Sequence, residues 1–350
     1  MTYNINDVLK DLSIISEDLN TLYLHDEISI DNRTFKTVSQ SLIKAEKSIK
    51  EIIDESTRRK SGVSPLSKLT YEDQYLNLCK DVLDNGVWIY NKRTGKKVLT
   101  KINADFEYDC SKGILPVLTT KKVAYKTAIA EMLGYLRGYN SAEQFRDIGS
   151  KTWDANSNAE SWQNSEACKG PDDMGYCYGE LGRRFITPSG KPYDQLEKIY
   201  SHLKNGIDDR GEILTFIHPG TDHLSCLRAC MHTHTFSVVG DTLHLTSYQR
   251  SADIPLGLPF NMVQVAWLLM IMAKITGLKP GTAYHKMVNV HIYEDQIPGI
   301  TKQISRTPLP SPQVYINFKI KTLCDLMEEN DTCTLMDYFH QGYIEFPFSV

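Results

Sequence analysis

Several common sequence features are missing from this 350-residue chain, and each absence narrows what the chain can be. The N-terminus, MTYNINDVLKDL, has neither the charged start nor the apolar run of a signal peptide. The longest apolar candidate, residues 263–275, falls short of the roughly 18 residues that a membrane span requires. The eight cysteines form no CxxC pair and no zinc-finger spacing with histidine, so we expect reduced thiols and no metal site. The net charge of -4 gives no broad attraction for nucleic acid, so we predict a cytoplasmic protein without a membrane or nucleic-acid partner.

The chain divides into a short N-terminal part and a larger remainder. Apolar residues recur at helical spacing near Leu9 and Leu12 and again near Ile49 and Ile52, and the segment ends in the linker-like sequence STRRKSG. We therefore predict a helical appendage and linker over residues 1–65 and a single larger domain over residues 66–350.

Local signals in the larger part predict both helices and strands. Helical apolar spacing covers residues 71–83, 124–139 and 262–276, and the first and last of these run into the stop signals Asn85-Gly86 and Gly277. The segment FSVVGDTLHLTSY alternates as two strands joined at Gly240-Asp241. Helices and strands follow one another irregularly rather than as βαβ units, so the fold class is predicted to be α+β.

The segment QRSADIPLGLPFN, residues 249–261, follows the alternating strand and contains groups suited to an anion. Arg250 offers a bidentate fork for phosphate and Ser251 a short hydroxyl donor. From the residue types alone, a structural ion pair between Arg250 and Asp253 is an equally good interpretation.

As a string, this segment resembles the hallmark of the thymidylate synthase family, which includes phage pyrimidine hydroxymethylases. Other segments are similar to family landmarks in the same order, from about residue 71 to the C-terminus. They are the Arg93 phosphate loop, LPVLTTKK at 115–122, AEMLGYLRGYN around Glu131, Trp153-Asp154, Tyr178-Gly179, the HIY motif at 291–293 and the terminal Val350.

The resemblance implies a thymidylate synthase-like fold, with a large mixed β-sheet, packed helices and a homodimer formed sheet to sheet. It implies a catalytic domain that binds dUMP and uses 5,10-methylenetetrahydrofolate as co-substrate, with no metal. Cys230 takes the place of the nucleophile that adds to C6 of the pyrimidine. The other implied catalytic residues are Glu131, Arg250 and Asp253. The implied substrate-binding residues are Arg93, Tyr178, Gln249, Ser251, Asn261, His291, Tyr293 and Arg210, the last donated by the neighbouring subunit. The implied folate-binding residues are Trp153, Asp253, Gly257 and Val350.

In this interpretation, Asn261 indicates which pyrimidine base the site binds. Its amide carries a donor and an acceptor, which complement O4 and N3–H of uracil, whereas cytosine presents the opposite pair. The deoxycytidylate hydroxymethylases carry Asp at this position, so Asn261 favours dUMP.

The chain also departs from the synthase pattern around the implied active site. The nucleophile stands in Arg228-Ala229-Cys230-Met231 rather than PPCH, and Gly134, Gly182 and Asn156 replace tryptophans. We expect such large-to-small changes to leave cavities that admit water. The phage hydroxymethylases likewise lack the histidine after the nucleophile. The first hypothesis is therefore water addition to an exocyclic methylene, giving 5-hydroxymethyl-dUMP, as in a virus that modifies its DNA. The alternatives are thymidylate synthesis with formation of dihydrofolate, and an inactive nucleotide-binding homologue.

Overall fold

A computed structural model describes residues 69–92 and 94–348, together with positions 15, 38, 41, 42 and 45. The chain separates into two units, Met1–Leu69 and Thr70–Val350, and the description below concerns the second. The appendage predicted over residues 1–65 lies almost wholly outside the described residues and stays a prediction.

The second unit alternates short and long elements without a repeating order. Its strands are β1 Val87–Asn91, β2 Lys96–Asp109, β3 Phe185–Ile186, β4 Pro192–Tyr193, β5 Ile213–Thr215, β6 Met231–Val239, β7 Thr242–Asp253, β8 Lys279–Tyr293, β9 Gln313–Ile316 and β10 Cys333–Met336. Its α-helices are α1 Tyr71–Asn85, α2 Tyr125–Leu136, α3 Ala142–Asp147, α4 Asp154–Ser157, α5 Glu160–Gln163, α6 Gly179–Arg183, α7 Gln195–Lys204, α8 Gly257–Thr276, α9 Ile297–Ile304 and α10 Leu323–Glu328.

A six-stranded mixed sheet forms the centre, in the order β1-β2-β8-β7-β6-β5. The β7–β8 pair is parallel, and all other neighbouring strands of this sheet pair antiparallel. Two-stranded sheets formed by β3–β4 and by β9–β10 lie apart from it. This is the α+β fold with a large mixed sheet that the sequence predicted.

One face of the sheet is covered by helix α8, which packs against β7, β8 and α2. Nearly every residue of α8 is buried, and an apolar helix with no polar side belongs in a core. Among the described residues, α8 is long and apolar enough to cross a membrane, but 83% of the tested window is buried within the protein. The helix is therefore best explained as the centre of the core.

On the other face of the sheet, the described part of the second unit carries exposed side chains. Along β7 the residues alternate, so that Leu245 and Gln249 are buried beneath α8 while Tyr248 points the other way and is 43% exposed. On β8 the same alternation buries Met287 and exposes Val288. An exposed tyrosine and valine on one sheet face indicate a surface suited to a partner.

The predicted elements form, with shifted ends. Helix α1 ends at Asn85 before Gly86, where a Cβ would lie 2.4 Å from the Val82 carbonyl oxygen. Helix α2 is shorter than predicted. Strand β7 continues through Asp253, so the polar QRSAD segment is part of the strand rather than the loop after it. Helix α8 begins five residues earlier than predicted, which places Asn261 in its first turns.

Candidate active site

A cavity of about 950 Å³ opens where the ends of β7 and β8 meet the start of α8. This volume is near the upper limit of small-molecule pockets, which range from roughly 300 to 1,000 Å³. Twelve residues that the sequence analysis selected line it: Glu131, Trp153, Tyr178, Cys230, Gln249, Arg250, Ser251, Asp253, Gly257, Asn261, His291 and Tyr293. The fold thus gathers residues from six separate segments into one site.

Cys230 lies just before β6 with a half-buried side chain. On the adjacent strand, Arg250 Nη2 approaches the Cys230 sulfur to 3.5 Å. Two backbone carbonyls hold this guanidinium, because Nε donates to Ala229 O at 3.0 Å and Nη2 donates to Arg228 O at 3.0 Å. A fixed positive charge beside sulfur favours the thiolate, which is the nucleophilic form.

Tyr178 supports the same cysteine from the opposite side. Its hydroxyl accepts a hydrogen bond from the Cys230 backbone N–H at 2.8 Å, and its ring stacks on Tyr135 at 4.2 Å. Tyr178 has a φ of 37°, an unfavourable value for a bulky side chain. The strained backbone is held by packing, and it sets the position of the Cys230 main chain.

Two arginines predicted to bind phosphate are not in the described cavity wall. Arg93 lies outside the described residues; Asn91, two positions earlier in the sequence, lines the cavity. Arg210 lies in the exposed turn before β5, with a φ of 65°, and is not among the residues that line the cavity of a single chain. Its predicted role requires a second subunit.

Glu131 projects from α2 into the cavity wall. The Thr152 hydroxyl donates to Oε1 at 2.5 Å, and Gln264 Nε2 donates to Oε2 at 2.6 Å. Desolvation raises the pKa of Glu131 above its usual value, although these two donors act against the rise. A carboxyl group with a raised pKa is suited to taking up and releasing protons.

Three side-chain amides form a row along the floor of the cavity. Gln249 Nε2 donates to Asn261 Oδ1 at 2.9 Å, and Asn261 Nδ2 donates to Gln264 Oε1 at 2.9 Å. Gln249 and Gln264 are buried, whereas Asn261 is half-buried and faces the cavity. The predicted base reader is therefore held on both sides.

Asp253 also lines the cavity, but it forms no ion pair with Arg250. It accepts hydrogen bonds from the Leu256 backbone N–H and from Gln296 Nε2, and desolvation raises its pKa to about 6. The structural ion pair considered from the sequence is thus not formed. Gln296 Nε2 also donates to Pro347 O at 3.2 Å, which fixes the C-terminal segment beside Asp253. Val350 itself lies outside the described residues, whereas Phe348, two positions earlier in the sequence, lines the cavity.

The remaining predicted residues occupy the cavity wall. His291 and Tyr293 stand at the end of β8 with ring centroids 5.4 Å apart, and His291 Nδ1 is 2.9 Å from Asn289 Oδ1. Trp153 is buried, and its indole N–H donates to the Tyr135 hydroxyl at 3.2 Å. Gly257 is the first residue of α8.

Several cavity residues were missed by sequence reasoning. Gln264 carried a usable signal, because it is a polar residue inside the apolar run of α8. Thr152 lies in the cavity wall beside the recognised Trp153 but outside its motif. Gln296, which does not line the cavity but donates to Asp253, follows the HIY motif and was also missed. The other missed lining residues are Asn91, Tyr135, Lys151, Ala155, Asp222, Ser225, Cys226, Leu227, Leu256, Phe260 and Phe348. Asn156, Arg228 and Met231, which the sequence analysis named as departures from the family pattern, also line the cavity.

The expectation that Gly134 and Gly182 leave cavities is wrong. A Cβ on Gly134 would lie 2.3 Å from Phe145 Cε1, and a Cβ on Gly182 would lie 2.9 Å from Phe216 Cε1. Both phenylalanines are buried in the aromatic cluster around Tyr135. The space is therefore already filled by rings from elsewhere in the chain, and these glycines admit no water to the site.

Within the described residues, His202, Asp209 and Glu212 are close enough together to suggest metal ligands, but none of them lines the cavity. Lys198 Nζ lies 2.8 Å from Glu212 Oε1 and 3.8 Å from Asp209 Oδ1. The lysine ammonium already supplies the positive charge that these carboxylates require.

Comparison with known proteins addresses the family directly. A family model described as Thymidylate synthase matches residues 73–350. A thymidylate synthase of Psychromonas ingrahamii is 57% identical over 285 residues, which cover 79% of this chain and 99% of the relative. Thymidylate synthases of Idiomarina loihiensis and Shewanella piezotolerans are each 55% identical over 281 and 285 residues, with the same coverage. These relatives are bacterial, and they lend no support to a viral origin. The chain belongs to the thymidylate synthase family, whose members are one-carbon transferases that use methylenetetrahydrofolate.

Proposed function

We propose that this chain is a thymidylate synthase that converts dUMP to dTMP in the cytoplasm and releases dihydrofolate. The observation that carries the proposal is the 57% identity to a thymidylate synthase over 99% of that relative's length. The 3.5 Å approach of Arg250 to the Cys230 sulfur supports it independently, because nucleophilic catalysis needs an activated thiol.

Cys230 starts the reaction in this proposal. Its thiolate adds to C6 of the pyrimidine, and the electron pair of the C5–C6 double bond moves towards O4. C5 thereby becomes nucleophilic. Arg250 stabilises the thiolate before addition, and Tyr178 keeps the Cys230 backbone in place.

The substrate is held at its phosphate and its sugar. Arg250 and Ser251, at the end of β7, would bind the 5′-phosphate together with Arg93, since arginine and hydroxyl donors match phosphate oxygens. His291 and Tyr293, at the end of β8, would hold the 3′-hydroxyl.

A second subunit would complete the phosphate site. The sheet face opposite α8 carries the exposed Tyr248 and Val288, and Ile213 lies on the same face at the start of β5, three residues after Arg210. Pairing of two chains through this face would bury these apolar side chains and bring Arg210 towards the partner's cavity.

The folate would occupy the Asp253 end of the cavity. The fit rests on a half-buried carboxylate that can accept hydrogen bonds from a pterin ring, flanked by Trp153 and Gly257 and covered by the C-terminal segment that ends in Val350. When bound, methylenetetrahydrofolate supplies both the one-carbon unit and the hydride that reduces it. Glu131 would transfer protons to and from the base through its hydrogen-bonded surroundings.

The relatives named thymidylate synthase support neither rival function. The hydroxymethyl hypothesis depended on water entering through the space of lost tryptophans. Phe145 and Phe216 fill that space at Gly134 and Gly182, and only the third position, Asn156, lies in the cavity wall. An inactive binding protein would have no need for the arrangement of Cys230, Arg250 and Glu131.

The test is to incubate the protein with dUMP and methylenetetrahydrofolate, follow dihydrofolate by absorbance and weigh the nucleotide product. The proposal requires dTMP and dihydrofolate in equal amounts, and Cys230→Ala must abolish both. Cys324→Ser serves as a matched control, since Cys324 is an exposed thiol outside the cavity wall. Hydroxymethyl-dUMP without dihydrofolate, or tight dUMP binding without any product, would overturn the proposal.

A further inference from the structure

The three side-chain amides on the cavity floor determine the orientation of Asn261, the residue predicted to recognise the base. An asparagine amide can be turned over with little change in shape, so its hydrogen-bond partners decide which end is the donor. Asn261 has a glutamine on each side, Gln249 at its oxygen and Gln264 at its nitrogen. The question is whether those glutamines could themselves turn over.

Gln264 cannot turn over without losing partners. Its Nε2 donates to Ala128 O at 3.1 Å and to Glu131 Oε2 at 2.6 Å, and a backbone carbonyl and an ionised carboxylate only accept. Its Oε1 must therefore point towards Asn261, where it requires a donor. The side chain is 1% exposed, so water cannot replace a lost partner.

Gln249 is fixed in the same way from the other side. Its Nε2 donates to Ser251 O at 2.8 Å and to Asn261 Oδ1, while its Oε1 lies 2.7 Å from His285 Nε2. Asn261 consequently keeps one Nδ2 hydrogen and one Oδ1 lone pair for the cavity. That pattern complements O4 and N3–H of uracil, and the turned-over amide would complement cytosine.

We propose that Gln264 is a specificity-determining positioning residue, which holds the Asn261 amide in its uracil-accepting orientation and ties that orientation to the Glu131 carboxylate. This inference rests on the proposed function, because it concerns the base that the site accepts. It assigns to one buried glutamine of α8 a direct bridge between the base-reading group and the proton-transferring group.

Two substitutions of Gln264 test separately its effect on the Asn261 orientation and its contact with the Glu131 carboxylate. Gln264→Leu removes the acceptor for Asn261 Nδ2 and the donor to Glu131, so the ratio of kcat/KM for dUMP to that for dCMP should fall roughly tenfold, as expected for one hydrogen bond. Gln264→Glu keeps an oxygen that accepts from Asn261 Nδ2, so it should retain the wild-type ratio within about threefold. It also places a second carboxyl group 2.6 Å from Glu131, so the acidic limb of the kcat profile should move to higher pH.

Gln195→Leu is the matched control. Gln195 is also buried, its Nε2 donates to the carbonyls of Leu181 and Thr215, and it does not line the cavity. Its loss should lower stability and leave the base preference unchanged. Asn261→Asp serves as the positive control, since it should move preference towards dCMP.

The outcomes are distinct. A wild-type dUMP preference in Gln264→Leu, or an equal loss of preference in Gln195→Leu, overturns the inference. If Gln264→Leu does not fold, Gln264→Glu decides, and an unshifted pH profile in that variant overturns it. If the wild-type protein makes no dTMP, the proposed function fails, and the ratio of dissociation constants for dUMP and dCMP then tests the inference by itself.

Discussion

Replacing Asp253 with asparagine is expected to stabilise the fold at neutral pH while weakening folate use. The Asp253 carboxyl lies in a poorly solvated part of the cavity, and this desolvation raises its pKa to about 6 from an ordinary value of 3.8. The donors on Gln296 and on the Leu256 backbone oppose the rise without cancelling it. At neutral pH the protein must therefore keep a charge where it is poorly hydrated.

The sign of this effect depends on whether the folded or the unfolded chain releases the Asp253 proton first as the pH rises. Below pH 3.8 both the folded and the unfolded chain hold it, so stability is highest there for this group. As the pH rises to about 6, the unfolded chain ionises first and stability falls; above that both states are ionised and the loss is complete. A shift of this size corresponds to about 3 kcal/mol, and partial exposure of Asp253 reduces it to roughly 1–2 kcal/mol.

The assay is urea unfolding of the wild type and Asp253→Asn at about pH 4.5 and about pH 7. The difference between the two proteins cancels groups that both share, including Glu131. Part of the loss has already occurred at pH 4.5, because the unfolded carboxyl ionises near pH 3.8, so the wild type should lose roughly 0.5–1.3 kcal/mol relative to the variant across this range. Asp84→Asn, at an exposed position of α1, should show no such change. A wild-type-to-Asp253→Asn difference that is constant with pH would refute the reasoning.

Two further predictions concern packing and assembly. Phe145→Ala should lower the free energy of unfolding by about 3–5 kcal/mol and Gly134→Leu by about 1–3 kcal/mol. The double variant should lose less than the sum by at least roughly 1 kcal/mol, because the leucine side chain enters the space that the Phe145 ring has left. If urea unfolding shows that the two losses simply add, the Phe145 ring does not fill the space beside Gly134. Separately inactive Cys230→Ala and Arg210→Ala chains should regain up to about a quarter of wild-type activity when unfolded and refolded together, since half of the random dimers contain one intact site. Absence of recovery in a mixture that forms mixed dimers would show that Arg210 does not act across the interface.

The parts of the fold that the sequence predicted are those set by neighbouring residues. Gly240 adopts a φ of 66° in the turn between β6 and β7, and Gly277 one of 81° after α8, so both positions need a residue that tolerates the left-handed region. The end of α1 at Gly86 is likewise a local matter of close approach. Such signals are readable because their cause lies within a few residues.

Pairing between distant strands could not be read in this way. Strand β8 lies between β2 and β7, antiparallel to the first and parallel to the second, although Lys101 of β2 and its partner Val290 are 189 positions apart in the sequence. Propensity and alternation predict strands but not their neighbours, which depend on the packing of the whole sheet. The α+β class was predictable for this reason, the large mixed sheet was expected only through the family resemblance, and the order of its strands was not predicted.

In the candidate site, as in the fold, residues in local motifs were predictable and contacts between distant residues were not. Residues in recognisable motifs, such as Cys230 and Arg250, lie in the cavity wall, and their roles stay a prediction. Their supporting partners were not predicted, because the bond between Gln264 and Glu131 joins residues 133 positions apart and no motif contains both.

The glycines show why a residue-by-residue comparison is a weak basis for the hydroxymethyl hypothesis. Gly134 looked like a lost tryptophan, yet the ring that occupies its space belongs to Phe145, and the ring beside Gly182 belongs to Phe216. A protein core conserves filled volume rather than the identity of the residue that fills it, so a small residue at one position and a large one at another can leave the site equally dry. A change of reaction should therefore be inferred from an opened path to the reacting carbon, and around these two glycines the path is closed.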